Sequence, residues 1–156
     1  MHPMKQTLVD VFSSTAEGFA FMFCEPFEGD TPPPVRGPCL QVQMSFEGPV
    51  AGTLTLAVPE SLCPEIAANA LGIELDGEEG ACGMHDTIKE LLNVTCGQFL
   101  TAYVGKEPVF DLSVPSVAPL GDADWAALCA DPGTAVLVME EEPVLLHATL
   151  RGDRES

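Results

Sequence analysis

Basic residues are scarce in this sequence: six lysines and arginines stand against 24 aspartates and glutamates in 156 residues, a formal net charge of −18. A surface so acidic repels the phosphates of nucleic acid and the anionic face of a membrane, so neither is an expected partner. Long apolar runs are missing too. The longest, around Phe19–Cys24 and Ala135–Met139, fall far short of the roughly 20 residues needed to cross a bilayer. The opening Met1-His-Pro-Met-Lys5 lacks a cationic region followed by an apolar block and a cleavage site, so the cytoplasm is the expected compartment. No glycine-rich loop is placed to cradle a phosphate, which leaves nucleotide binding unsupported. The six cysteines (24, 39, 63, 82, 96 and 129) include no CxxC pair, and buried reduced thiols are expected rather than disulfides.

What is present is an ordinary globular mixture, 46% hydrophobic and 19% charged, long enough for one well-buried core. A single domain over residues 1–151 is expected, with 152–156 a polar tail. Helical spacing of Leu8, Val11 and Phe12, then Phe19 and Phe23, predicts a first helix from Met4 to about Met22. The breaker-rich Glu25–Pro38, with Pro32-Pro33-Pro34, is long for a structureless loop and has room for a short strand. Val42, Met44 and Phe46 then alternate with polar residues, Gly48-Pro49 turns the chain, and Leu54, Leu56 and Val58 share a face: a hairpin. Leu62, Ile66 and Ala70 predict a second helix stopped by Gly72, followed by a solvated acidic loop, Glu74–Gly80.

A longer helix is predicted over Gly83–Val104, ending at Gly105. Phe110, Leu112 and Val114 alternate as a strand broken by Pro115 and Pro119. Asp122 is placed to cap a short helix that runs through Cys129 to the turn Asp131-Pro132-Gly133. Two last strands, Thr134–Glu140 and Val144–Arg151, are joined across Glu141-Glu142-Pro143. Hairpin-connected strands with helices set apart from them define an α+β domain: an antiparallel β-sheet with long helices packed on it.

The long helix carries the informative pattern. At about 100° per residue, Asp86, Glu90, Asn93 and Gly97 fall within roughly 60° of one another and form one polar stripe. Ile88, Leu92, Thr95, Cys96, Phe99 and Tyr103 make a band on the other side. No basic residue of this helix lies four positions from Glu90, so its carboxylate has no obvious helical partner. Gly97 leaves a flat patch that another backbone could approach.

The spacing Asp86-x3-Glu90-x2-Asn93-x3-Gly97 resembles the signature of the CheC/CheX family of chemotaxis phosphatases, and helix order and strand pairing resemble that family in outline. Gln98 departs from the asparagine common in relatives. Two-site relatives repeat the motif on the first helix. Here Asp10, Ser14 and Glu17 occupy the echoing positions, with an acid where the amide belongs, so one active site is expected, as in the CheX-like branch.

The resemblance implies a phosphatase acting on the phosphoaspartate of a CheY-like receiver domain. In that reading Asn93 orients the attacking water, Glu90 docks on the receiver's lysine, and Asp86 and Gly97 help the docking. It also implies no cofactor of the chain's own, with Mg2+ supplied by the response-regulator substrate, and a homodimer formed through edge strands.

Plainer readings compete for several of these residues. Thr87-Ile-Lys-Glu90 fits a capping box, which would make Glu90 a cap and leave Asp86 outside the helix. Cys82-x2-His85 has two metal ligands but no second pair, so no metal site is assigned. His147 shares the polar side of the last strand with Thr149 and Arg151 and reads as a surface histidine. Cys96 and Trp125 read as packing, and Arg151-Gly-Asp153 as a chance tripeptide. The alternative function is a non-catalytic adaptor of the same fold that binds a receiver without hydrolysing it.

Overall fold

A computed structural model describes residues 3–29, 35, 37–71 and 78–152. The expected features at Pro32-Pro33-Pro34, Gly72, the start of the loop from Glu74, and residues 153–156 lie outside the described residues, as does the Cys82 side chain. In chain order the elements are α1 (Pro3–Ala20), β1 (Cys24–Pro26), β2 (Cys39–Glu47) and β3 (Val50–Pro59). A single 3-10 turn (Glu60–Leu62) leads into α2 (Cys63–Leu71) and α3 (Glu78–Tyr103). There follow β4 (Asp111–Leu112), β5 (Ser116–Leu120), α4 (Asp122–Ala130), β6 (Ala135–Met139) and β7 (Glu142–Gly152).

Among the described residues the seven strands form one antiparallel sheet in the order β1-β6-β7-β3-β2-β4, with β5 also paired to β2. The two-residue alternation of β2 decides which side is buried: Leu40, Val42, Met44 and Phe46 point into the main core while Gln43 and Glu47 are exposed. Leu54 and Leu56 of β3, and Val144 and Leu146 of β7, continue that face, which α1, α2 and α3 cover with residues such as Phe12, Ile66 and Phe99. The opposite face carries a smaller cluster in which Trp125 of α4 packs on Cys39, Ala57 and Leu145. The sheet is thus covered by three helices on one side and by one short helix on the other. At Gly52 the strands β3 and β7 come so close that a Cβ would run into the Thr149 carbonyl oxygen, so glycine is required there.

Several boundaries differ from the sequence expectation. The first helix stops at Ala20, because Phe21 adopts a left-handed conformation (φ 54°), and Phe23 lies beyond the helix and is exposed. The short strand sought between residues 25 and 38 is β1, starting at Cys24. The long helix begins at Glu78, five residues before Gly83, so the end of the expected acidic loop is helical. Pro119 lies inside β5 rather than ending a strand. The Phe110–Val114 strand shrinks to two residues, with Val114 84% exposed. Asp122 is not a cap: Gly121 holds that position without a side-chain bond, and Asp122 and Asp124 complement the dipole in the first turn.

The last hairpin turns at Glu140-Glu141, not at Glu141-Glu142-Pro143. The register Met139↔Glu142 leaves two residues in the loop, and both take positive φ (51° and 67°), matching the strand twist as a primed turn does. Its residues are not the asparagine and glycine that announce such a turn. His147 is only 19% exposed at its side chain and sits 3.3 Å from Asp131, tying β7 to the end of α4 rather than standing free on the surface.

Candidate active site

The side chains of the polar stripe depend on α3 being one unbroken helix, and it is, from Glu78 to Tyr103. Its inner face fixes its rotation. Ile88, Leu92, Cys96 and Phe99 are completely buried, Phe99 stacks on Tyr103 with ring centroids 5.5 Å apart, and the buried Thr95 hydroxyl donates to the Leu91 carbonyl at 2.7 Å. That last bond satisfies a polar group which would otherwise be stranded in the core.

With the inner face so anchored, Asp86 and Glu90 are exposed and Asn93 and Gly97 half-buried on the outer side. The four span about 16 Å of helix, with Glu90 and Asn93 roughly 4.5 Å apart along the axis. Among the described residues no ion pair engages Asp86 or Glu90, and no hydrogen bond ties the Asn93 amide. Gly97 has nothing within 4 Å of where a Cβ would stand. It is open space, not packing, that a side chain would fill there.

The competing capping-box reading fails on the same geometry. Thr87 lies nine residues inside the helix and is 5% exposed, so it caps nothing, and Asp86 is helical. On α1, the echoing residues Asp10, Ser14 and Glu17 are all exposed, and Gln6 Nε2 donates to Asp10 Oδ1 at 2.8 Å. A groove of about 500 Å³ separates this part of α1 from α3, lined by Asp10, Val11, Ser14 and Phe19 on one side and Val94 and Gln98 on the other. Val94 and Gln98 follow Asn93 and Gly97 directly in the chain; in the sequence Gln98 stands out only as a departure from the family pattern, and Val94 not at all, since it belongs to neither the polar stripe nor the apolar band.

Nucleophilic chemistry is disfavoured at three of the cysteines. Burial pushes the Cys24, Cys63 and Cys96 thiols up to about 12, which keeps them in the unreactive protonated form. Among the described residues no group of three or more His, Cys, Asp or Glu is arranged to hold a metal ion. No helix of the described residues is long and apolar enough to cross a membrane. What the stripe offers is an amide and two carboxylates on the outer side of one unbroken helix.

The model of the chemotaxis phosphatase CheX family matches residues 40–129, which include the whole of α3 and more than half of the chain. The chain belongs to the CheX family. Solved structures agree on the fold. A CheX from Borrelia burgdorferi, solved as a CheX–CheY–BeF3–Mg complex, has a TM-score of 0.65 at 17% identity, over 94% of this chain and 96% of that one. A putative chemotaxis protein from Desulfovibrio vulgaris Hildenborough reaches a TM-score of 0.70 at 12% identity, over 96% and 97%. A CheC-like superfamily protein from Shewanella gives 0.61 at 19%, over 97% and 100%. No curated protein matches this CheX-family chain in sequence.

Proposed function

We propose that this CheX-family protein accelerates hydrolysis of the phosphoaspartate on a CheY-type response regulator, using the single site on α3. The observation that supports it most is the rotation of α3, which leaves Asn93 on the open side of an unbroken helix with Glu90 one turn before it. Phosphoryl transfer asks mainly for positioning and charge stabilisation. An amide suits the first task, since its oxygen accepts from a water while its NH2 donates nearby. Being a poor base, it aims the water rather than deprotonating it. Water attacks phosphorus, the aspartyl oxygen leaves, and inorganic phosphate and a free carboxylate result.

Glu90 makes a charge-assisted bond to the receiver's lysine and sets how far the helix enters. Asp86 adds a docking contact one turn earlier, and Gly97 lets the receiver's backbone come close. The chain brings no cofactor; the receiver supplies its own Mg2+, in line with the BeF3 and Mg of the Borrelia complex. The protein works in the cytoplasm as a homodimer. The edge formed by β4 and its flanks is the pairing surface, where Val109 and Val114 are 83% and 84% exposed and Leu112 39%. With a charge of −18, long-range attraction to an acidic receiver contributes little, and affinity is modest.

The test is the lifetime of phosphoaspartate on the host's CheY-type receivers with and without the protein. Shortening of at least one lifetime is expected, and Glu90→Ala is expected to weaken both binding and turnover. Binding to a receiver whose lifetime stays unchanged would replace this reading with the adaptor one.

A further inference from the structure

The end of α1 is built at a cost to the fold. The Phe21 amide donates to the Glu17 carbonyl at 3.0 Å and the Met22 amide to the Ala16 carbonyl at 3.3 Å, closing the helix with Phe21 in the left-handed position (φ 54°). Glycine takes that position most readily, whereas a bulky residue there is strained. Met22 repays part of the strain by turning into the core at 2% exposure, but Phe21 and Phe23 are 74% and 71% exposed. Among the described residues nothing in the packing accounts for two phenyl rings in water on either side of a buried methionine.

Their surroundings give them a use. Phe21 and Phe23 wall a shallow groove with Ser14, Glu17 and Gly18. Ser14 and Gly18 also line the α1–α3 groove, together with Val11, Thr15 and Phe19 of α1 and Val94 and Gln98 of α3. The two grooves border each other along Ser14 and Gly18, and we treat them together as a trough whose far end is Val94 and Gln98, the chain neighbours of Asn93 and Gly97. Its charged lining residues are Asp10 and Glu17, and among the described residues no basic side chain lines either groove.

We propose that this trough is the second half of the receiver-docking surface, taking an apolar face of the response regulator flanked by lysine or arginine, beside the phosphorylated aspartate. The inference rests on the phosphatase reading of α3 and extends it. Area argues for it. A stripe about 16 Å long on a helix about 10 Å wide offers roughly 160 Å², against about 800 Å² per partner in a standard interface and up to about 600 Å² in a weak one. Two largely exposed phenyl rings contribute about 200–300 Å² more, and the trough lies on the side of the stripe where α1 and α3 meet. Charge argues for it as well: a lining of apolar residues with Asp10 and Glu17 as its charged members selects a partner surface of opposite sign and repels another copy of this acidic chain.

The experiment titrates the full-length protein, and its Phe21→Gly, Phe23→Ser and doubly substituted forms, against the host's CheY-type receiver activated with beryllofluoride and Mg2+. The double variant is expected to bind at least tenfold more weakly, while turnover at saturating receiver stays within twofold of wild type. Phe21→Gly alone is expected to melt about 2–4 °C higher, since the strain at the helix end is relieved. Weaker binding by a more stable protein assigns the loss to the surface and not to the fold. Unchanged affinity overturns the trough and leaves the phosphatase reading standing; a wild type that binds no activated receiver overturns both. Variants that turn a dimer into a monomer at unchanged receiver affinity would assign the trough to a second copy and refute the proposal. A lower melting temperature for Phe21→Gly would refute the strain on which it begins.

Discussion

Replacing Gly97 with alanine separates what the fold wants from what the function wants. Gly97 lies in the interior of the 26-residue α3, six residues before its last residue, Tyr103, where glycine is the poorest helix former after proline. A Cβ there meets nothing within 4 Å, so the substitution brings no clash. The variant recovers the backbone entropy glycine loses, about 0.8–1 kcal/mol, or about 2–4 °C in melting temperature for a chain of this size. The same methyl stands on the stripe one turn beyond Asn93, about 6 Å along the axis. In a helix that enters a receiver's pocket, an added methyl overpacks a tight contact at about 1–3 kcal/mol, roughly a five- to 150-fold loss in kcat/KM. Calorimetry and phosphoaspartate decay read the two effects on one preparation. A variant that is stabler and fully active would show that no partner approaches Gly97, and one that is less stable would refute the open space around it.

The hairpin at Glu140-Glu141 spends energy on two side chains in left-handed conformations, φ 51° and 67°. Changing the pair to Asn-Gly is expected to stabilise the protein by about 1–2 kcal/mol in urea denaturation; a loss would contradict the turn assignment. Burial raises Glu65 above its ordinary value of 4.5, helped by a hydrogen bond with Glu140 and by that residue's charge. The folded protein therefore holds this proton in a window where the unfolded chain has lost it, and stability falls as pH rises from about 4.5 through the raised value. Glu65→Gln is expected to stabilise the protein more at pH 7 than at pH 5, and equal effects at the two values would refute the shift.

The polar stripe was legible in the sequence because a helix periodicity and a chemical pattern coincide there: the residues that define the buried face, Ile88, Leu92, Cys96 and Phe99, also dictate where Glu90 and Asn93 point. The β2–β3 hairpin was legible for a related reason, since Val42, Met44 and Phe46 alternate cleanly and Gly48-Pro49 marks the turn. The last hairpin turn was not. Glu140-Glu141 carries no residue that favours positive φ, so its position follows from the pairing of Met139 with Glu142 across the sheet and is invisible locally. Pro119 read as a strand breaker, yet it sits in β5 at the edge of the sheet, where a missing amide proton is tolerated. Phe23 read with Phe19 as a continuation of an apolar helix face, because hydrophobicity alone does not tell a buried residue from an exposed one. The α1–α3 groove joins residues some 80 positions apart and leaves no local trace.

The central claim is tested most directly by Asn93→Ala at saturating CheY-type receiver, with phosphoaspartate decay measured beside affinity for the beryllofluoride-activated form. The account predicts that the acceleration disappears while affinity stays within about 1 kcal/mol of wild type. Full activity in that variant would contradict it, because a side chain whose task is to aim the water cannot be dispensable.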